Sequence, residues 1–297
     1  MAITRVPHRR RRTDALAVVL LVVALLTGCD LLTPPSDPAP LRYRDAVFSA
    51  VTVTPDLVYG QAVDQAGVDQ TLYFDLYEPT GDTAALRPLV IWVHGGYFSG
   101  GSRTSAELVD QATVLGKKGY VGASISYRTS ANGCRVLNAE CVTAIQQATQ
   151  DAQAAVRFLR NNAETYRIDP NRIAIAGTSA GAITAINVGV RAPADETSGT
   201  PGVSSSVAAA VSLSGSQFMG TCDAGDAPLL MFHGTEDPIL SYQGAVNTQA
   251  CLADAGVWAH LVTWEGDGHV PYTAHRAEIL DTETTFLFNA LSVRGLL

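Results

Sequence analysis

Charged residues are scarce in this chain of 297 residues, at 16% of the composition, and basic residues are fewer than acidic ones. The 20 lysines and arginines against 28 aspartates and glutamates give a net charge of −8, which argues against a nucleic-acid-binding protein. Few charges together with a mean hydropathy of +0.13 exclude a disordered chain. The 47% of apolar residues is enough to bury a substantial core at this length.

Long hydrophobic runs are also rare, and the most prominent one lies near the start of the chain. Every residue from 15 to 26 is apolar, and four arginines at 9–12 precede this run. Twelve helical residues extend about 18 Å, which is too short for the roughly 30 Å hydrocarbon core of a bilayer. We therefore predict a signal peptide over residues 1–28 rather than a transmembrane helix. Leu26-Thr27-Gly28-Cys29 is similar to the lipobox of bacterial lipoproteins.

The lipobox resemblance implies that Cys29 becomes the lipidated N-terminus of an exported cell-envelope lipoprotein, held at a membrane by acyl chains. Ordinary secretion, with Cys29 incidental, is the alternative. Residues 29–41 contain four of the 14 prolines, so we expect an extended tether that holds a catalytic domain at 42–297 away from the membrane. Removing residues 1–28 leaves 15 basic against 27 acidic residues, so the rest of the chain is strongly acidic.

Cysteine is infrequent, with four residues besides the one in the lipobox. Neither Cys-x-x-Cys nor His-x-x-x-His spacing occurs, so we expect no metal site. An exported protein folds in an oxidising compartment, where the four cysteines can pair in three ways. We favour Cys134 with Cys141, which closes a short loop, and Cys222 with Cys251, which joins a loop to a predicted helix.

Short apolar segments alternate with helical patterns along most of the chain. The apolar segments predict eight strands, at 47–59, 72–77, 89–93, 121–127, 173–176, 207–213, 229–232 and 261–264. The helical patterns predict five helices, at 106–118, 142–163, 180–191, 242–255 and 273–291. Because the central strands are short and almost entirely apolar, we predict a mostly parallel sheet flanked by helices. In such sheets the functional groups collect at the carboxyl ends of the strands.

A serine follows one of the central strands. Gly177-Thr178-Ser179-Ala180-Gly181 lies between the strand at 173–176 and a helical pattern. A serine between two glycines at a strand–helix turn is typical of a catalytic nucleophile, because the turn exposes the hydroxyl. A glycine-rich turn with an incidental serine is the alternative.

A pair of glycines follows another central strand, in His94-Gly95-Gly96-Tyr97. Acyl transfer develops negative charge on the carbonyl oxygen, and backbone N–H groups at such a turn can stabilise it. We expect the N–H groups of Gly96, Tyr97 and Ala180 to form this oxyanion hole, with Ala180 at the start of a helix. His94 is expected to make a structural hydrogen bond rather than to act as a base.

A serine becomes a good nucleophile only beside a base that a carboxylate orients. The last two predicted strands end close to such groups, because Asp237 follows 229–232 and His269 follows 261–264. We therefore predict a triad of Ser179, Asp237 and His269, which occur in the chain order that this serine–acid–histidine arrangement uses.

Other residues near these strand ends are possible alternatives. Glu236 or Asp267 would replace Asp237 as the acid, and His275 would replace His269 as the base. Asp267 is only two residues from the predicted base, and His275 lies within a helical pattern, so we favour neither. Packing or capping roles are expected for His233 and His260.

Residues 70–290 resemble the α/β-hydrolase superfamily, and within it the esterases and lipases with a His-Gly-Gly motif. The resemblance is carried by Asp75-Leu76-Tyr77-Glu78-Pro79, Val93-His94-Gly95-Gly96, Asp169-Pro170-Asn171-Arg172-Ile173, Gly177-Thr178-Ser179-Ala180-Gly181, His233-Gly234-Thr235-Glu236-Asp237 and Gly268-His269. It implies the α/β-hydrolase fold, with Ser179 as the nucleophile, Asp237 as the acid and His269 as the base. Tyr97 stands where the hormone-sensitive-lipase branch commonly has a third glycine.

These observations predict a serine carboxylesterase that needs no metal or organic cofactor and acts on short-chain, small aryl or acetyl esters. A serine peptidase of the prolyl-oligopeptidase type and a non-catalytic envelope lipoprotein that kept the fold are the alternatives. Segments 128–140 and 191–206 should line the mouth of the site. The expected partners are a small-molecule ester and, through the lipid anchor, a membrane; no nucleic acid is expected.

Overall fold

The computed structural model describes residues 30–192 and 200–297, so the predicted signal peptide and Cys29 lie outside the described residues. The strands are β1 Val51–Val63, β2 Asp69–Pro79, β3 Arg87–Val93, β4 Val121–Ile125, β5 Ile168–Thr178, β6 Ala209–Leu213, β7 Leu229–Gly234 and β8 Ala259–Trp264. The helices are α1 Ala106–Lys118, α2 Ala139–Asn161, α3 Ala180–Gly189, α4 Tyr242–Asp254 and α5 Tyr272–Ala290, with a short 3₁₀ helix at Val293–Leu296. Each predicted strand and helix is present, with bounds that differ by a few residues.

All eight strands form one sheet in the order β1-β2-β4-β3-β5-β6-β7-β8. Strand β2 runs antiparallel to both of its neighbours, and the strands from β4 to β8 pair in parallel. The prediction of a mostly parallel eight-stranded sheet flanked by helices is therefore confirmed.

The sheet has a hydrophobic core on each face, as strand β3 illustrates. All seven of its residues are buried, and successive side chains point to opposite faces. Leu89 and Ile91 belong to the core shared with α2 and α3, whereas Val90 and Trp92 belong to the core shared with α1 and α5. Burial on both faces explains why the central strands are almost entirely apolar.

The register of the sheet brings the carboxyl ends of the parallel strands to one edge. Val93, the last residue of β3, pairs with Gly177 of β5, and Leu213 of β6 lies between Thr178 of β5 and Phe232 of β7. The residues that follow β3, β5, β7 and β8 therefore meet at this edge.

The segment before β1 differs from our expectation of an extended spacer. Leu31 and Leu32 pack against the core that includes α5, and the Asn289 amide donates to the carbonyl oxygens of Leu31 and Thr33 at 3.0 and 2.9 Å. The partial burial of two leucines and these hydrogen bonds hold the proline-rich segment against the domain. Within residues 30–192 and 200–297, no helix is both long enough and apolar enough to cross a bilayer.

Both favoured disulfides are present. Cys134 is bonded to Cys141 at the start of α2, which closes a loop of seven residues, and Cys222 is bonded to Cys251 in α4, with a separation of 29 residues. The first disulfide fixes a loop close to the carboxyl edge of the sheet.

Candidate active site

Ser179 occupies a sharp turn between β5 and α3. Its backbone has φ 54° and ψ −117°, a region that non-glycine residues rarely adopt. A Cβ atom at Gly177 would collide with the backbone of Gly181, and one at Gly181 would collide with the carbonyl of Val93. The two glycines therefore let the helix start directly against the strand ends, which projects the Ser179 hydroxyl out of the turn.

The structure brings Ser179, His269 and Asp237 together in one hydrogen-bonded line. The Ser179 hydroxyl donates to Nε2 of His269 at 2.8 Å, and Nδ1–H of His269 donates to Oδ2 of Asp237 at 2.7 Å. The Asp237 side chain is fully buried, whereas that of His269 is 19% exposed. The carboxylate thus keeps the proton on Nδ1 and leaves Nε2 free to accept one from the serine.

Asp237 is held by the turn that follows β7. Its Oδ1 accepts the N–H groups of Ile239 and Leu240 at 2.8 and 3.0 Å, an arrangement that fixes the carboxylate and satisfies its buried charge. Buried His233 lies on the other side, with Nε2 2.9 Å from the carbonyl oxygen of Leu240 and 3.1 Å from Oδ2 of Asp237. His233 therefore contributes to the surroundings of Asp237, a contact that sequence analysis missed.

The alternative acids and base lie elsewhere. Glu236 is exposed, and Asp267 is bound to the ring of His275 at 2.5 Å between Nε2 and Oδ2. The His275 ring also stacks on Trp264, with centroids 4.1 Å apart. His260 stacks on Trp258 at the edge strand. Asp267 and His275 therefore form a separate pair beside the loop that carries His269.

His94 has the surroundings of a structural residue. Burial lowers the pKa of His94 to about 4, so its ring is neutral at ordinary pH. Its Nδ1–H donates to the Gly95 carbonyl oxygen at 2.7 Å, its ring stacks on Tyr127, and its own carbonyl accepts the Tyr127 hydroxyl at 2.9 Å. These contacts fix the backbone of the glycine pair.

The three predicted oxyanion donors lie on the two turns that meet at the nucleophile. Gly96 and Tyr97 have positive φ values of 119° and 56°, and Ala180 is the first residue of α3. Within residues 30–192 and 200–297, none of their N–H groups has a protein acceptor. A Cβ atom at Gly95 would lie 3.1 Å from Cβ of Ser179, so this glycine brings the two turns into contact. The sequence did not show that Gly95 lies against Ser179 and has no room for a side chain.

A cavity of about 210 Å³ opens beside Ser179. It is lined by Tyr97, Phe98, Cys134, Arg135, Ser179, Ala180, Ile183, Pro238, Ile239 and Leu240. Tyr97 and Ala180 thus share the cavity with the nucleophile, whereas Gly96 does not line it. Cys134 and Arg135 come from segment 128–140, which we expected at the mouth. Part of segment 191–206 lies outside the described residues.

Two family models match overlapping parts of the chain. The BD-FAE family matches residues 74–217, which include β3, the glycine pair and Ser179. The family described as TAP-like protein matches residues 210–291, which include Asp237 and His269. Together these matches cover residues 74–291, from within β2 to the end of α5.

Two of the curated relatives that the chain resembles are named as esterases. Fumonisin B1 esterase of Sphingopyxis macrogoltabida is 30% identical over 155 residues, which are 49% of this chain and 28% of that protein. Acetylcholinesterase of Gallus gallus is 30% identical over 114 residues, 38% of this chain and 15% of that protein. The chain thus spans less than a third of the length of these two relatives.

The structural likeness covers most of the chain. The apo form of esterase 2 from Thermogutta terrifontis superimposes with a TM-score of 0.63 at 22% identity, over 86% of this chain and 98% of that one. Another structure of this esterase, bound to butyrate, has a TM-score of 0.59 at 20% identity over 80% and 93% of the two chains. A truncated carbohydrate esterase from gut microbiota has a TM-score of 0.62 at 20% identity, over 88% and 100%.

Proposed function

We propose that this chain, which has the α/β fold of the esterase structures that superimpose on it, is a serine carboxylesterase that cleaves esters through an acyl-enzyme on Ser179. The serine oxygen attacks the ester carbonyl while Nε2 of His269 takes its proton. Asp237 holds the imidazole in the required tautomer and stabilises the imidazolium. The N–H groups of Tyr97 and Ala180, with Gly96 nearby, stabilise the oxyanion.

Collapse of the tetrahedral intermediate releases the alcohol, which takes the proton back from His269. Water then attacks the acyl-enzyme with His269 again as the base, and the acid leaves Ser179. The observation that carries this proposal is the hydrogen-bonded line of Ser179, His269 and Asp237, with distances of 2.8 and 2.7 Å. Esterases among the relatives support the same reaction class.

The size of the cavity supports small substrates. About 210 Å³ is below the roughly 300–1,000 Å³ of pockets that enclose drug-sized ligands. Ile183, Ile239 and Leu240 supply apolar contacts suited to a short acyl chain or a small aryl group. A butyrate-bound structure of a similarly folded esterase is consistent with short acyl groups.

The test is ester hydrolysis by the purified full-length chain and by Ser179→Ala. We expect wild type to hydrolyse p-nitrophenyl acetate and butyrate and to prefer them to longer acyl groups, and Ser179→Ala to lose on the order of 10⁶ in kcat. Ser204→Ala, which removes an exposed hydroxyl, is the matched control and should stay within about twofold. Activity within tenfold of wild type in Ser179→Ala would contradict the proposed nucleophile.

Two further measurements separate the other functions. A fluorophosphonate probe should label wild type and not Ser179→Ala; no labelling would favour a non-catalytic envelope protein. Aminoacyl anilides should be cleaved far more slowly than p-nitrophenyl acetate. Faster cleavage of the anilides would favour a peptidase.

We also propose that the protein is lipidated at Cys29 and anchored in the cell envelope. The two disulfides support an extracytoplasmic location, because disulfides persist in oxidising compartments. Leu31 is bound to Asn289 at the end of α5, and Arg172 donates to the carbonyl of Leu291 in the same region. Ser179 lies seven residues beyond Arg172, or about 23 Å along β5. Leu31 therefore lies at the end of the sheet remote from the site.

Lipidation is tested by labelling cells with a fatty acid and separating their membranes. Wild type should incorporate the label and remain with the membranes, and Cys29→Ser should do neither. Thr33→Ser is a control that keeps the signal peptide and Cys29 unchanged. Membrane retention and equal labelling in Cys29→Ser would contradict the anchor.

A further inference from the structure

The cavity beside Ser179 contains a single charged side chain. Of the residues that line it, Arg135 is the one basic residue, and the others are apolar, aromatic, sulfur-containing or hydroxyl-bearing. This positive charge is unusual in its setting, because the chain is acidic as a whole. The cavity beside the nucleophile therefore carries a positive charge, whereas the net charge of the protein is negative.

Arg135 is held in place by its neighbours. Its guanidinium lies over the ring of Tyr97, 5.1 Å from the centroid, in a cation–π contact. The preceding residue, Cys134, donates its N–H to the Tyr97 carbonyl at 2.7 Å and is covalently joined to Cys141. The loop is therefore fixed to the same turn that supplies the proposed oxyanion donor.

No carboxylate neutralises this guanidinium. Within residues 30–192 and 200–297, the ion pairs of the other arginines include Arg103 with Asp75 and Arg128 with Asp151, whereas Arg135 has no acidic partner. The nearby Glu140 instead accepts hydrogen bonds from Asn132. The planar donors of Arg135 are thus available to a ligand, and they suit a carboxylate that accepts two parallel hydrogen bonds.

We propose that Arg135 forms an anion-binding subsite that selects esters carrying a carboxylate on the acid or the alcohol portion. The proposal rests on the esterase function proposed above. The cavity, of about 210 Å³, has room for a chain of a few carbons. The ester carbonyl lies at Ser179, the intervening carbons contact Ile183, Ile239 and Leu240, and the free carboxylate binds Arg135.

The test compares each anionic ester with its neutral amide of the same shape, using the full-length chain. For the acid portion the pair is monomethyl glutarate and the methyl ester of glutaramic acid, followed by pH-stat. For the alcohol portion the pair is meta-acetoxybenzoate and meta-acetoxybenzamide. The variants are Arg135→Gln, which removes the charge, and Arg135→Lys, which keeps the charge without the planar donors. The matched control is Lys117→Gln. It also removes one positive charge, but from the last turn of α1, and Lys117 does not line the cavity.

We expect one pair to show a kcat/KM ratio of about tenfold in favour of the anion, the factor typical of one charge-assisted hydrogen bond at an accessible site. The ratio should fall to about one in Arg135→Gln, take an intermediate value in Arg135→Lys, and persist in Lys117→Gln. It should also decrease at roughly 0.5 M salt, because screening weakens an exposed charge. The pair that shows the preference identifies the portion of the ester that binds this cavity.

A ratio near one for both pairs in wild type, or a ratio that survives in Arg135→Gln, would overturn the subsite while leaving the esterase function in place. Absence of turnover with every neutral ester, together with no fluorophosphonate labelling, would instead remove the proposed function and the subsite with it. The two failures are therefore distinguishable.

Discussion

Replacing Asp237 by Asn tests the acid of the proposed triad without changing its shape. In the native site Oδ1 of Asp237 accepts two backbone N–H groups, from Ile239 and Leu240, and Oδ2 faces Nδ1–H of His269 and the buried ring of His233. The backbone donors require an oxygen at the Oδ1 position. The amide nitrogen of Asn must therefore take the place of Oδ2.

That placement sets an NH₂ group against the N–H of His269. The repulsion is relieved when the imidazole changes tautomer, so that Nδ1 accepts from the amide and Nε2 carries the proton. Nε2–H then points at the Ser179 hydroxyl, 2.8 Å away, and cannot take its proton. The expected loss in kcat is roughly 10³–10⁴, which corresponds to about 4–5.5 kcal/mol of transition-state stabilisation.

The assay is steady-state hydrolysis of one p-nitrophenyl ester at neutral pH by wild type, Asp237→Asn and Glu236→Gln. Glu236 is the adjacent carboxylate and is exposed, so its amide variant should lose less than about threefold. A large loss in Glu236→Gln with near-normal activity in Asp237→Asn would refute the assignment and make Glu236 the acid.

Two further predictions concern stability. Complete burial raises the pKa of Glu283 to about 8, so the native state retains a proton between about pH 4.5 and 8 that the unfolded chain has released, and stability falls as the pH rises through this window. In thermal unfolding, the stability of Glu283→Gln relative to wild type should increase by on the order of a few kcal/mol between pH 5 and 8.5. Glu265→Gln, at an exposed position, should show no such change relative to wild type. A stability difference between Glu283→Gln and wild type that does not vary with pH would contradict the raised pKa of Glu283. The Cys222–Cys251 disulfide closes 29 residues, so replacing both cysteines by serine should cost about 3–4 kcal/mol in denaturant unfolding, and a loss below about 1 kcal/mol would refute the loop-closure argument.

The local pattern of the sequence was sufficient to predict the elements of the fold. Apolar segments and helical periodicity depend on residues close in the chain, because each strand or helix must present its own apolar surface to the core. The turn around Ser179 was predictable for the same reason, since the serine, both glycines and the flanking strand are contiguous. Functional groups collect at the carboxyl ends of parallel strands, and this predicted that Asp237 and His269 lie near the serine.

Contacts between distant segments needed the tertiary structure. The proline content of residues 29–41 predicted an extended spacer, yet Leu31 and Leu32 pack against the core that includes α5, and Leu31 is bound to Asn289, some 250 residues further along the chain. Composition describes how a segment behaves alone, whereas its docking depends on an apolar surface elsewhere. Gly95 is a second example, because a glycine is needed there only since Ser179, more than 80 residues further along the chain, packs against it.

The choice among neighbouring candidates was likewise decided in three dimensions. Asp237 and Glu236 are adjacent in sequence, but the turn after β7 buries the first and exposes the second. Arg135 is one of many arginines in the sequence, and only the packing of its disulfide-bonded loop against Tyr97 brings it to the cavity beside Ser179. Residue types and local spacing therefore determined which chemistry was available, and the packing of separate loops at one sheet edge decided which side chains share the site.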